Sequence, residues 1–176
     1  YQHSYHAGGP ADVHKHAALC LLIEHLNAKP NPYCVIDLYA GEGAYALDSA
    51  PAQKTAEYRD GIAKLWDRDV PSLRPLLARV RDENPTGALK VYPGSPAIAR
   101  RYLRHDDRLT LNELHPGAFA ALKRWARGDA RITVHRRDGL EALLALVPPR
   151  PRRGLVLIDP SYEIKTDYAA IPAKVA

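Results

Sequence analysis

The sequence predicts an α/β domain built on a doubly wound, mostly parallel sheet, and three observations predict it. Four short apolar stretches, 33–38, 109–112, 132–135 and 155–158, alternate with stretches of helical periodicity, the order that parallel strands and their crossover helices require. Each ends on or just before an acidic residue: Asp37, Glu113, Asp138 and Asp159. The first is followed at once by the turn Ala40-Gly41-Glu42-Gly43. With 176 residues and 46% hydrophobic content, the chain can bury one core of this kind, and residues 1–176 read as a single domain.

The elements follow in order. Asp12 can cap a helix over 12–28, in which Leu19, Leu22, Ile23 and Leu26 recur at helical spacing and Lys29-Pro30 ends the run. Its first turn carries His14, Lys15 and His16. The stretch 33–38 is continuously apolar until Asp37, which suits a strand buried on both faces. Residues 55–83 show a helical pattern interrupted near Pro71, so 48–92 is expected to form a small helical insertion after the first strand. Pro93-Gly94-Ser95-Pro96 opens a further helix over about 97–103. Helices are expected again at 116–126 and 140–146, each between two of the remaining strands.

Composition narrows the function classes. The formal net charge is +5, and arginines cluster at 79/81, 100/101/104, 124/127, 136/137 and 150/152/153, a balance that favours an anionic partner, nucleic acid first. Cys20 and Cys34 lie in apolar segments without metal spacing and read as reduced, buried thiols of a cytoplasmic protein. No apolar run approaches the roughly 18 residues of a membrane span. His14-x-His16 lacks a third ligand nearby, so no metal is expected. The sequence contains no methionine and ends soon after its fourth strand, so it reads as part of a larger protein whose carboxyl-terminal strands lie elsewhere.

In an open parallel sheet, ligands bind outside the carboxyl ends of the strands. Gly41 to Ala46 fits G-x-G-x-x-A, a pattern shared by dinucleotide sites and by ordinary tight turns. A nicotinamide site also wants an acid some twenty positions on, at the end of a second strand, but 57–60 reads as helix. A nicotinamide-dependent oxidoreductase therefore stands as the alternative reading, with a non-catalytic RNA-binding module as a third. Asp159-Pro160-Ser161-Tyr162 supplies a carboxylate, a rigid backbone carbonyl and an aromatic ring at a strand tip, a set that can hold a flat, amino-bearing ring.

The order of these features resembles the Rossmann-like class I S-adenosylmethionine-dependent methyltransferases, and Asp159-Pro160-Ser161-Tyr162 looks like the D-P-P-Y of the amino-group enzymes, with Ser161 in place of the second proline. The segment Tyr1-x-His3-x-x-His6-Ala7-Gly8-x-x-Ala11-Asp12-Val13-x-Lys15-His16 resembles the start of the bacterial 23S ribosomal RNA adenine-N6 methyltransferases of the RlmJ type. The likeness continues through Asp37-Leu38-Tyr39-Ala40-Gly41-Glu42-Gly43, Tyr92-Pro93-Gly94-Ser95-Pro96, Glu113-Leu114-His115-Pro116, Asp138-Gly139 and Arg152-Arg153-Gly154-Leu155. An adenine-N6 DNA methyltransferase shares the tetrapeptide but not the amino-terminal signature.

The resemblance implies transfer of a methyl group from S-adenosyl-L-methionine to the N6 of an adenine in 23S ribosomal RNA, by direct attack after base flipping, leaving S-adenosyl-L-homocysteine. It implies Asp159, Pro160 and Tyr162 as catalytic residues. It places Lys15, His16, Tyr39, Gly41, Ser95, Glu113, Asp138, Gly139 and Asp159 at the cofactor, with Glu113 on the ribose and Asp138 on the adenine amino group. It sets Tyr1, His3, His6 and Tyr162 against the RNA. A monomer is expected.

Overall fold

The structure is a computed structural model that describes residues 3–161 and 167–175. After a 3-10 turn at His3–Tyr5 the chain forms α1 (Pro10–Asn27), β1 (Cys34–Asp37), β2 (Ala44–Ala46), α2 (Ala50–Thr55), α3 (Arg74–Asp82), β3 (Val91–Pro93) and α4 (Ser95–Tyr102). It continues through β4 (Arg108–Asn112), α5 (Pro116–Trp125), β5 (Ile132–His135), α6 (Gly139–Leu146), β6 (Gly154–Leu157) and α7 (Asp167–Val175).

The four expected strands pair in parallel in the order β5-β4-β1-β6. From β1 the chain crosses to β4 and β5 on one side and then returns to β6 on the other. Strand order therefore reverses at β1, and the crevice above its carboxyl end is the place where an open sheet of this kind binds ligands.

Strand β1 is apolar up to its last residue, Asp37, because both of its faces are covered. Val35, with Leu109 and Leu111 of β4, packs into a core that includes Leu19, Cys20 and Ile23 of α1, Leu76, Leu77 and Val80 of α3, and Ile98 of α4. Cys34 and Ile36 point to the opposite side, where Ala142 and Leu143 of α6 meet them. Each fully buried aliphatic side chain of this set contributes roughly 1.5–3 kcal/mol. The doubly wound α/β reading is thus met by the structure.

Four local expectations are corrected. Asp12 does not cap α1: Gly9 is the cap, Pro10 opens the helix, and the Asp12 side chain is turned inward, 3% exposed. Leu22 does not join the core face, being 50% exposed, while Cys20 takes the buried position instead. The region 55–83 is not continuously helical. It breaks at Ala56, whose φ of 54° is left-handed, into short 3-10 turns at Glu57–Arg59, Ile62–Lys64 and Pro71–Leu73 before α3 begins. Close approach explains part of that break, because a Cβ on Gly61 would strike the backbone of Gly8 and Gly9. Finally, β2 and β3 form an antiparallel pair that the sequence did not announce, with Tyr45 opposite Tyr92. Three-residue strands, one of them ending in proline, carry too little periodicity to be read.

Candidate active site

The glycine turn after β1 is built from two left-handed positions, Gly41 at φ 62° and Gly43 at φ 93°. Gly43 also faces a ring, since a Cβ there would lie 2.8 Å from Cδ2 of Trp125. The turn is tied to its surroundings at two points. Gly41 donates its N–H to Oε2 of Glu113 at 2.9 Å, and the Gly43 carbonyl accepts the N–H of Gly94, the residue that caps α4, at 2.9 Å. Glu113 uses its other oxygen to accept the His115 N–H at 2.8 Å. The acid read as a ribose partner thus also fixes the turn beside it.

Asp37, at the carboxyl end of β1, is 1% exposed. Its Oδ2 accepts the Ser95 hydroxyl at 2.6 Å and its Oδ1 the Tyr39 N–H at 3.1 Å. Burial pushes its carboxyl up to about 6, against the opposing pull of those two donors and of Lys15, while the charge of Asp159 adds to the rise. The Ser95 side chain is therefore spent on Asp37 rather than on capping its own helix.

Asp159 stands beyond the end of β6 with one residue between them, and its Oδ2 is held by the ammonium of Lys15 from α1. The same ammonium lies 3.0 Å from Oδ1 of Asp12. Oδ2 of Asp12 accepts from Nε2 of His3 at 2.9 Å and from the Gly8 N–H at 3.1 Å. Burial would raise the Asp12 carboxyl and lower the Lys15 ammonium. In each case the partners win: His3, His16 and Lys15 hold Asp12 far below the usual carboxylate range, and the charges of Asp12 and Asp159 hold Lys15 above the usual lysine range.

Asp138 caps α6, accepting the N–H groups of Leu140 and Glu141 at 2.9 and 3.2 Å, and it stands exposed at the end of the β5 connection. Gly139 abuts the Tyr39 ring, for a Cβ there would lie 2.8 Å from its Cε1. Lys15 with Asp159, Gly41 with Glu113, and Tyr39 with Gly139 are thus direct neighbours. His16 is placed differently: it is 1% exposed, its Nδ1 lies 2.9 Å from the Tyr92 hydroxyl, and burial drives its imidazole down to about 3. It is a neutral ring inside the protein. His6 is half-exposed and paired with Glu57 at 2.8 Å. Tyr1 and Tyr162 fall outside the described residues.

The roles of three residues of this site escaped the sequence reading. Asp12 betrays itself only as the acid three positions before Lys15 on one helix. Asn112 is the polar residue closing an apolar strand: its side chain donates to the carbonyls of Leu38 and Arg137 at 3.1 and 3.0 Å and accepts the Arg137 N–H at 3.1 Å, lacing the ends of β1, β4 and β5 together. Asp37 was seen as a strand end but not as the partner of Ser95, a link across 58 positions.

The family model described as "Ribosomal RNA large subunit methyltransferase D, RlmJ" matches residues 30–176. The chain belongs to the RlmJ family. It is 46% identical over its whole length to "Ribosomal RNA large subunit methyltransferase J" of Escherichia coli and 43% identical over 96% of its length to the protein of the same name in Haemophilus influenzae. It spans 64% and 61% of the lengths of those two relatives. A crystal structure of a Legionella pneumophila protein superposes over 97% of this chain and 63% of that one, with a TM-score of 0.88 at 39% identity. Among the described residues of this RlmJ family chain, no group of histidine, cysteine and acidic side chains is arranged to hold a metal, and no helix is long and apolar enough to cross a membrane.

The residues present fit the cofactor that a methyltransferase family implies. Left-handed glycines packed against Tyr45 and Trp125 fix the turn after β1, and three acids stand beyond the carboxyl ends of neighbouring strands: Asp37 closing β1, Glu113 after β4, and Asp138 at the cap of α6. Glu113 and Asp138 offer carboxylates suited to hydroxyl and amino groups.

Proposed function

We propose that the protein methylates the exocyclic N6 of an adenine in 23S ribosomal RNA, using S-adenosyl-L-methionine. The observation that carries this reading is the position of Asp159-Pro160: it lies just beyond β6, which pairs with β1 at the reversal point, with Asp159 held by Lys15 and close enough to Asp37 for its charge to raise that carboxyl. In this reading Glu113, Asp138, Gly139, Gly41, Tyr39, Ser95, Lys15 and His16 form the cofactor side of the site.

When bound, the cofactor supplies an electrophilic methyl group on a sulfonium. The chain's own task is to prepare the amine. An adenine amino group delocalises its lone pair into the ring and is a poor nucleophile until acceptors favour a tetrahedral nitrogen. The Asp159 carboxylate and the Pro160 carbonyl are those acceptors, and orientation with local electrostatics supplies the rate. Tyr162 stacks on the extracted base, contributing about 1–3 kcal/mol against a flipping cost of a few kcal/mol. His3 and His6, on the segment that leads to Asp12, face the RNA side.

No covalent enzyme intermediate is needed, and the thiols are poorly suited to one. Cys20 and Cys34 are both buried, and burial pushes Cys20 up to about 11. The alternative of a nicotinamide site finds little support, because residues 57–59 form a 3-10 turn rather than the acidic end of a strand. The test is mass spectrometry of 23S ribosomal RNA from cells lacking the gene, before and after treatment with the full-length protein and S-adenosyl-L-methionine. The expected result is one adenosine gaining a methyl at N6; modification at another atom, or none, would overturn the reading.

A further inference from the structure

We propose that Asp12 is a positioning residue that ties the amino-terminal segment to the aim of Asp159, acting through Lys15. This inference rests on the function proposed above and goes beyond it, since Asp12 touches neither reacting group.

The argument starts from satisfaction. A carboxylate that is 3% exposed is tolerable only when its oxygens are fully engaged, and those of Asp12 are divided by direction. Oδ2 faces the amino-terminal segment, taking His3 Nε2 at 2.9 Å and the Gly8 N–H at 3.1 Å. Oδ1 faces Lys15 at 3.0 Å. Lys15 then spans to Asp159, from a different element 144 positions away. A lysine is a point charge on a flexible four-carbon stem with three donors, so by itself it fixes nothing. Pinned at Asp12, the same ammonium has a set direction, and the Asp159 oxygen it holds is set with it.

The amino-terminal segment is itself seated by contacts that do not involve the crevice. The Gly8 carbonyl accepts the Ile62 N–H at 2.9 Å, Glu57 pairs with His6 at 2.8 Å, and the Thr55 hydroxyl donates to the Tyr5 carbonyl. The His3 ring tilts against Tyr45, with centroids 5.3 Å apart. One buried carboxylate therefore reads the seating of residues 3–8 on one oxygen and the placement of the catalytic acid on the other. Correct seating of the segment that faces RNA becomes a condition for a correctly aimed Asp159.

Asp12→Asn, Lys15→Met and the double variant, each in the full-length protein, test this by kinetics on 23S ribosomal RNA lacking the modification. Asp12→Asn is expected to lower kcat about tenfold, and in the Lys15→Met background to add less than about twofold, because both act on one chain of contacts. Losses that multiply, or a kcat per folded molecule unchanged in Asp12→Asn, would overturn the proposal. Chymotryptic cleavage after Tyr5 reads the other half without catalysis. It should accelerate in Asp12→Asn and stay at the wild-type rate in Lys15→Met; equal rates in Asp12→Asn and wild type count against it. Should Asp12→Asn fail to fold, Asp12→Glu replaces it, keeping the charge but displacing it by one methylene, with the same expectations. A wild-type protein that methylates no adenine N6 sinks the proposed function, while the cleavage experiment still decides the role of Asp12.

Discussion

The two ends of the parallel sheet are both lined with acids, and they treat them in opposite ways. At the amino end, Asp107 is fully buried and accepts the N–H groups of Tyr33 and Arg104 at 3.0 and 2.8 Å together with the Arg104 guanidinium at 2.9 and 3.1 Å. Arg104 reaches on to the carbonyls of Lys29 and Asn31 and so fastens the loop before β1. Asp129 is gripped by Arg131 through two nitrogens, at 2.9 and 2.7 Å, and by Arg100 at 3.0 Å. Hydrogen bonds from Arg131 hold Asp129 far below its ordinary range, and Arg104 lowers Asp107 although burial opposes it. At the carboxyl end, among the described residues, no guanidinium pairs with Asp12, Asp37, Glu113, Asp138 or Asp159. Their partners are backbone N–H groups, a hydroxyl, an imidazole and one ammonium. Bidentate arginine pairs saturate a carboxylate and lock it. Acids meant for a ligand need partners that orient them and leave acceptor capacity unused.

The sharpest way to break that contrast is to delete one acid from each end. Asp159→Ala should lower methyl transfer by about 10²–10³-fold, the scale of losing a preorganised electrostatic partner, while the melting temperature stays within about 2 °C. Asp107→Ala should do the reverse. It strips partners from two buried N–H groups and from a guanidinium, costing about 3 kcal/mol in urea unfolding, with kcat per folded molecule unchanged. If Asp107→Ala impaired catalysis as strongly as Asp159→Ala, the division between the ends would be false.

The same division explains what was legible in the sequence. Strands β1, β4, β5 and β6 were readable because each is short and apolar and the four alternate with stretches of helical periodicity, so periodicity and burial agree. The acids at their carboxyl ends were readable because a parallel sheet makes strand ends a shared address. What lay outside reach were links between distant positions: Asp37 to Ser95, Gly41 to Glu113, and Asp12 to both ends of its chain of contacts. The arginine clusters were legible as charge but not as contacts: Arg100 and Arg104 grip Asp129 and Asp107, and Arg153 donates to the carbonyls of Asn31 and Leu26. Composition reports charge but not whether a fold has already used it.

A subtler test uses proton linkage, because Asp37 should respond to pH with a sign opposite to that of Asp129 and Asp107. Asp129 and Asp107 have folded values below the ordinary 3.8, so their stabilisation is present above about pH 4 and is lost as pH falls further. Asp37 has a folded value of about 6, above its unfolded 3.8, so its protonated form favours folding and that contribution disappears as pH rises through 6. Asp37→Asn removes this titration. Relative to Asp37→Asn, the wild type should lose about 2–3 kcal/mol between pH 4 and pH 7, measured from urea midpoints at the two values. A constant difference would show that Asp37 is not held in a desolvating environment.

Ser95→Ala gives the smallest expected effect and tests the same carboxyl from its partner. The hydroxyl donates to Asp37 at 2.6 Å, and this bond is the chief force resisting the rise that burial imposes. A donor stabilises an ionised carboxylate more than a protonated one. Its loss should therefore cost about 1–2 kcal/mol at pH 7, where Asp37 is charged, and less at pH 4, where it is not. The pH at which wild type and variant begin to diverge marks the Asp37 titration without altering the acid itself. Because α4 starts at Ser95 with Gly94 as its cap, the hydroxyl owes nothing to the helix, and a pH-independent loss would mean that the side chain supports local packing instead of the charge at the end of β1.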